Sequence, residues 1–186
     1  PLNAILGWIQ LLNNEQVSQE RRAHAIDVIE GTAEAQRQLV ADLLDTSSAL
    51  RGRLSFNPTR IDLGEVVEMA VESVGPTASS KRVHVAIDRG DGAFVMNGDK
   101  ERLQQLVWNL LANAVKFTPP RGRVSISTRN DSPDSVVIEV CDTGIGIDPK
   151  YLPQIFTPFE QGDPGIAGRF GGMGLGLAIS RMIVET

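Results

Sequence analysis

In the run NLLANAVKF, Asn109, Asn113 and Lys116 lie four and three residues apart. A helix through them brings two carboxamides and an ammonium out on one side, opposite Leu106, Val107 and Leu110. Such a group suits a hydrated Mg²⁺ and the phosphates it binds, because Mg²⁺ takes oxygen ligands and keeps several waters. A merely solvated polar face would show the same spacing. A second stretch, DTGIGID, sets Asp142 at the end of an apolar run and follows it with Gly144 and Gly146. There a carboxylate can accept a hydrogen bond from a flat amino-bearing ring while glycine backbone closes over it; a simple turn would also fit. The third stretch carries Gly162, Gly165, Gly168, Gly171, Gly172, Gly174 and Gly176 and runs straight into Leu175, Leu177, Ala178 and Ile179. Glycines that end at a helix N-terminus present free backbone N–H groups to a phosphate. A surface linker would not meet an apolar helix at once, so the segment reads as a lid over an anion, with Phe156 and Phe159 as its hydrophobic anchor. Neither a dinucleotide fingerprint nor a P-loop is present.

The elements that must position these residues have two periodicities. Helices are expected over residues 2–13 and 19–51, separated by a polar break. Leu2, Ile5, Leu6, Ile9 and Leu12 mark one face of the first. In the second, Ile26, Ala33, Val40 and Ser47 form one row at heptad spacing, and Ile29, Gln36, Leu43 and Leu50 another. The short helix covers only part of that seam, so the hairpin is expected to pair with a second copy as a four-helix bundle. From residue 55 the pattern changes to strand-like runs at 55–61, 83–87, 93–97, 123–129 and 135–142 and helices at 63–79, 99–117 and 173–185. Asp99 is a fitting N-cap, and Pro119-Pro120 stops the middle helix. The fold class is α+β: a helical hairpin (1–54), then a two-layer α/β sandwich (55–186) with helices on one face of a sheet.

Composition bounds the rest. The 186 residues are 41% hydrophobic and 22% charged with a net charge of −5, and no basic block stands out. That is the profile of a globular protein, without the cationic face by which nucleic acid is held. No apolar run reaches the roughly 20 residues of a membrane span, and the start of this sequence shows no charged region followed by a cleavage site. The single Cys141 allows no internal disulfide, which fits a reducing, cytoplasmic setting, and it is expected to be a small buried side chain.

Taken in order, the three stretches resemble the ATP-binding domain of the sensor histidine kinases, the Bergerat-type ATPase fold. NLLANAVKFTP is similar to the family's N box, DTGIGI to its first glycine box, IFTPFEQ to its phenylalanine box and GGMGLGLAIS to its second glycine box. PLNAILGWIQLL resembles the end of the box in which the family writes His-Glu-Leu-Arg-Thr just before Pro-Leu-Asn. The resemblance covers nearly the whole chain. It implies a phosphoacceptor histidine about five residues upstream of Pro1, and further strands after Thr186, so the fold is expected to be truncated at both ends. Met173 departs from the family's Thr or Ser at one phosphate contact.

The resemblance also implies roles. Asn113 would ligate Mg²⁺, Asn109 would hold phosphate or metal-bound water, and Lys116 would contact phosphate. Asp142 would take the adenine amino group, and Gly144, Gly146, Gly172, Gly174 and Gly176 would line the nucleotide. Arg169 in the lid is a candidate for the γ-phosphate. ATP and Mg²⁺ are the implied cofactors. The implied partners are a second copy, through the hairpin, and the receiver domain of a response regulator; any membrane attachment would come from segments outside this chain. The reaction would move the γ-phosphoryl group of ATP to the upstream histidine and then to a receiver aspartate, as in a two-component phosphorelay. His24, near the start of the second helix, and His84, on a strand, lack the family's flanking residues, so the 186-residue chain alone is expected not to phosphorylate itself. A nucleotide-binding dimerisation module without kinase activity is the alternative. Topoisomerase-like and chaperone-like ATPases share the fold, but there a glutamate typically stands where this chain has Asn109.

Overall fold

The computed structural model describes residues 2–13, 17–50, 55–90, 94–132, 135–162, 165 and 173–186. The chain divides into two compact units, Pro1–Leu50 and Arg51–Thr186. The expected boundary at 54/55 differs from this division only in residues 51–54, which lie outside the described set.

The first unit is a pair of helices, α1 (Leu2–Leu12) and α2 (Gln19–Leu50), packed against each other. Ser18 opens α2, its hydroxyl accepting the Arg21 N–H at 3.4 Å, a weak form of the N-cap bond. The rings of Trp8 and His24 meet edge to face at 5.5 Å, and Ala25 is fully buried. Ile5, Trp8 and Leu12 are half-buried, whereas Leu2, Leu6 and Ile9 point to solvent. On α2, Ile26, Val40, Leu43 and Leu44 are exposed as well. Hence α1 covers part of the apolar seam and leaves the rest open.

The second unit is a two-layer arrangement of β1 (Thr59–Asp62), α3 (Leu63–Lys81), β2 (His84–Arg89), β3 (Val95–Gly98), α4 (Lys100–Phe117), β4 (Arg123–Ser132), β5 (Ser135–Asp142) and α5 (Gly176–Glu185). Its strands form two sheets among the described residues, where the sequence suggested one. β2 runs parallel to β4, with His84 opposite Arg123, and β4 runs antiparallel to β5, with Val124 opposite Asp142; β1 and β3 pair separately. β1 is shorter than expected and starts after Pro58, which has no N–H to give a ladder.

One face of the larger sheet carries the core. Val124, Ile126 and Thr128 alternate with Arg123, Ser125 and Ser127, and only the first set is buried. Against that face lie α3, through Leu63, Val66, Val67, Ala70, Val74 and Ala78, and α4, through Leu106, Val107, Leu111, Ala114 and Val115; Leu175, Ile179 and Ile183 of the α5 segment complete the cluster. Those intervals of three and four are the helix-face pattern, so the layer order follows from the sequence. Cys141 corrects an expectation: it is exposed. Its register partner is Ser125, on the face turned away from the helices.

Candidate functional site

The site is built around α4. Asp99 caps it, its Oδ1 accepting the backbone N–H groups of Glu101 at 3.0 Å and Arg102 at 3.1 Å. Its Oδ2 accepts the Asn57 N–H at 2.9 Å, which ties the entry of the unit to the start of α4. Burial alone would raise the Asp99 pKa, but the donors Asn57, Arg102 and Glu101, together with the Arg102 charge, outweigh it and hold the carboxyl below its usual range.

The opposite end of α4 is where the sequence-predicted residues gather. A helix leaves its last four carbonyls without intrahelical partners, and here every one is taken. Ala114 O accepts the Thr118 N–H at 3.0 Å, Val115 O and Lys116 O both accept from the Lys81 ammonium, and Phe117 O accepts the Ile145 N–H at 3.3 Å. The last bond joins the loop after β5 to the residue next to Lys116. Val124 and Asp142 are register partners, so Asp142 shares the helix-bearing face. It is exposed, and its Oδ1 accepts the Gly144 N–H at 2.8 Å. A Cβ on Gly144 would collide with that oxygen and with Phe117 O. Gly146 has φ of +70°, a conformation that favours glycine.

Asn109 sits two turns back and is only 4% exposed. Its Nδ2 donates to Gly176 O at 3.3 Å, and the Ser180 hydroxyl donates to the same oxygen at 2.9 Å. The carboxamide is thereby oriented with Oδ1 as its acceptor end. Asn113 and Lys116 are half-buried on the same helix. Burial lowers the Lys116 pKa below the ordinary 10.5, and its ammonium stands 4.9 Å from the centre of the Phe117 ring.

Described residues on either side of the glycine-rich stretch are tied to each other. Phe159 N–H donates to Gly174 O at 3.1 Å, which pins the residue before the lid to the one after it. Gly174 has φ of +71°, and any Cβ there would run into Glu160 O. This is why α5 begins at Gly176 and not at 173. Phe156 and Phe159 were expected to be a hydrophobic anchor, yet both are exposed; among the described residues the tie is the backbone bond from Phe159 to Gly174. Arg169 and Gly172, with Gly168 and Gly171, lie outside the described residues. Lys81 was missed in the sequence because it stands in no motif, and the Phe117 carbonyl because, although Phe117 ends NLLANAVKF, a backbone oxygen leaves no mark in residue type.

Among the described residues no group of three His, Cys, Asp or Glu could hold a metal. A Mg²⁺ at this place would depend on carboxamide oxygens together with phosphate and water, the mixed oxygen set that this ion accepts. Asn109 and Asn113 fit it.

Residues 98–186 match the family model described as histidine kinase-, DNA gyrase B-, and HSP90-like ATPase. Hybrid signal transduction histidine kinase D of Dictyostelium discoideum is 32% identical over 229 residues, covering 100% of this chain and 15% of the relative. Autoinducer 2 sensor kinase/phosphatase LuxQ of Vibrio parahaemolyticus is 33% identical over 190 residues, covering 100% of this chain and 22% of the relative. The chain thus spans less than a quarter of either. Among solved structures, full-length ShkA in complex with AMPPNP aligns with a TM-score of 0.73 at 28% identity, over 100% of this chain and 38% of that one. Residues 98–186 belong to the ATPase family shared by histidine kinases, DNA gyrase B and HSP90, within a chain related along its whole length to hybrid and sensor histidine kinases.

Proposed function

We propose that the second unit binds Mg²⁺-ATP, and that the whole protein is a sensor histidine kinase passing the γ-phosphoryl group to a histidine upstream of Pro1 and then to a receiver aspartate. The observation that carries this reading is the bond from Ile145 N–H to Phe117 O, which puts the Asp142 loop beside the last turn of α4. In this assignment Asp142 keeps one carboxylate oxygen on Gly144 and offers the carboxylate to the adenine amino group, while Gly144 and Gly146 let backbone approach the ring. Asn113 ligates Mg²⁺, Asn109 orients phosphate or metal-bound water through Oδ1, and Lys116 neutralises phosphate charge. Gly174 and Gly176 line the phosphates at the start of α5; Gly172 and Arg169, outside the described residues, are assigned to the nucleotide and its γ-phosphate on the resemblance alone. The bound Mg²⁺ would supply charge neutralisation across the phosphates, which with positioning is most of what phosphoryl transfer requires. The AMPPNP held by ShkA supports a nucleotide of this class.

In the same reading the first unit is the dimerisation and phosphotransfer hairpin. Its support is the outward row Leu2, Leu6, Ile9, Ile26, Val40, Leu43 and Leu44, apolar surface of the kind a second copy would bury. Burying a charge there costs several kcal/mol, so Val40→Asp with Leu43→Asp shifts sedimentation from dimer to monomer. Neither His24 nor His84 has the flanking residues of the family's acceptor histidine, so the 186-residue chain takes no label from γ-labelled ATP. The same chain extended upstream through the acceptor histidine, and downstream past Thr186, takes acid-labile label. A folded, ATP-binding extended chain that stays unlabelled would overturn the kinase reading and leave a nucleotide-binding dimerisation module.

A further inference from the structure

Lys81 is the last residue of α3, yet its ammonium serves another helix. Nζ donates to Val115 O at 2.9 Å and to Lys116 O, two of the four carbonyls that α4 leaves open at its end. A cation at a helix C-terminus satisfies orphan acceptors and complements the negative end of the dipole. The backbone around it is held just as firmly. Arg82 turns the chain through a left-handed conformation with φ of 60°, Val83 N–H returns to Ala78 O at 2.8 Å, and Arg121 N–H bonds Arg82 O at 2.8 Å. Lys81 therefore leaves α3 from a fixed point and meets the very carbonyls that precede and carry the Lys116 side chain.

We infer that Lys81 is a positioning residue for the phosphate and metal end of the nucleotide site. It holds the last turn of α4, and with it Lys116 and Asn113, at the depth where they meet phosphate. The inference rests on the nucleotide reading above. The adenine end has supports of its own, Asp142 on the Gly144 N–H and the pairing of Asp142 with Val124 on β4, and meets the turn only through Ile145 on Phe117 O, so it depends on Lys81 less than the phosphate end does. Loosening the turn then acts on one end of the ligand more than the other.

The test is the ratio of two affinities, for Mg²⁺-ATP and for adenosine, each read by displacement of a fluorescent ATP analogue from the full chain. Loss of a supporting contact behind a metal or phosphate ligand costs about 10- to 100-fold. Lys81→Met is expected to weaken Mg²⁺-ATP at least about tenfold while adenosine changes by less than about twofold. Lys81→Arg, which keeps charge and donors, is expected to recover most of the ratio. If the Met variant does not fold, Lys81→Gln replaces it and is judged by the same ratio. Equal losses for both ligands would mean a purely structural role, and an unchanged ratio in a folded variant would also overturn the inference. A wild-type chain that binds no ATP sinks the nucleotide reading and this inference together, whereas wild-type binding with an unmoved ratio sinks this inference alone.

Discussion

Asn109 Nδ2 donates to Gly176 O at 3.3 Å, joining the middle of α4 to the first residue of α5 at a place where Asn109 is 4% exposed. Asn109→Asp keeps the shape but removes the donor and sets a carboxylate against a carbonyl oxygen. The expected loss of stability is about 1–3 kcal/mol or more near neutral pH. Because the buried carboxyl would have a raised pKa, its protonated form restores a donor, and the loss should shrink as pH falls through that pKa. Urea denaturation at pH 7 and pH 5 checks both statements; a loss independent of pH would contradict them.

The glycines of the two glycine boxes should differ sharply in tolerance. Gly174→Ala combines a positive φ with a collision against Glu160 O and should be the most damaging. Gly146→Ala has the same sign of φ but open space around it, and should cost about 1–2 kcal/mol. Gly176→Ala lies in helix with 3.4 Å to Asn109 Oδ1 and should be close to neutral. Melting temperatures in any other order would contradict the backbone assignment.

Thr118 is fully buried, and its Oγ1 has no hydrogen-bond partner among the described residues. An orphaned hydroxyl costs about 1–3 kcal/mol, so Thr118→Val should leave stability unchanged or raise it by about 1 kcal/mol. A clear loss in the urea midpoint would mean that the hydroxyl has a partner such as a buried water.

Lys116 has a pKa lowered by burial from 10.5. In the window between its folded pKa and 10.5 the unfolded chain binds the extra proton, so the unliganded protein should gain stability as pH rises. Nucleotide affinity should move the other way in that window, since phosphate needs the ammonium. Both slopes should vanish in Lys116→Met, as read by urea titration and by binding of a fluorescent ATP analogue across the alkaline range.

Much of this arrangement is legible in the sequence, for reasons that differ by residue. Asn109, Asn113 and Lys116 share a helix side because their spacing matches the helical period, and Asp99 caps because a carboxylate before a helix finds free N–H groups. Cys141 misled because its type favours burial, whereas the pleat puts it opposite Ser125 on the polar face. The start of α5 was misjudged because a helix-like apolar pattern does not reveal that Gly174 takes φ of +71°. Lys81 could not be found at all: its partners lie 34 and 35 residues on, and they are carbonyls, which every residue has.

The most direct test of the account compares two substitutions in the nucleotide site, on the chain extended beyond Pro1 and Thr186, by binding of a fluorescent ATP analogue with and without Mg²⁺. A hydrogen bond to a charged group is worth about 1.5–3 kcal/mol, so Asp142→Ala should weaken binding roughly 10- to 150-fold whether or not Mg²⁺ is present. Asn113→Ala should weaken binding mainly when Mg²⁺ is present, with the defect shrinking once the metal is left out. The same Mg²⁺ dependence for both would contradict the assignment of adenine to Asp142 and metal to Asn113.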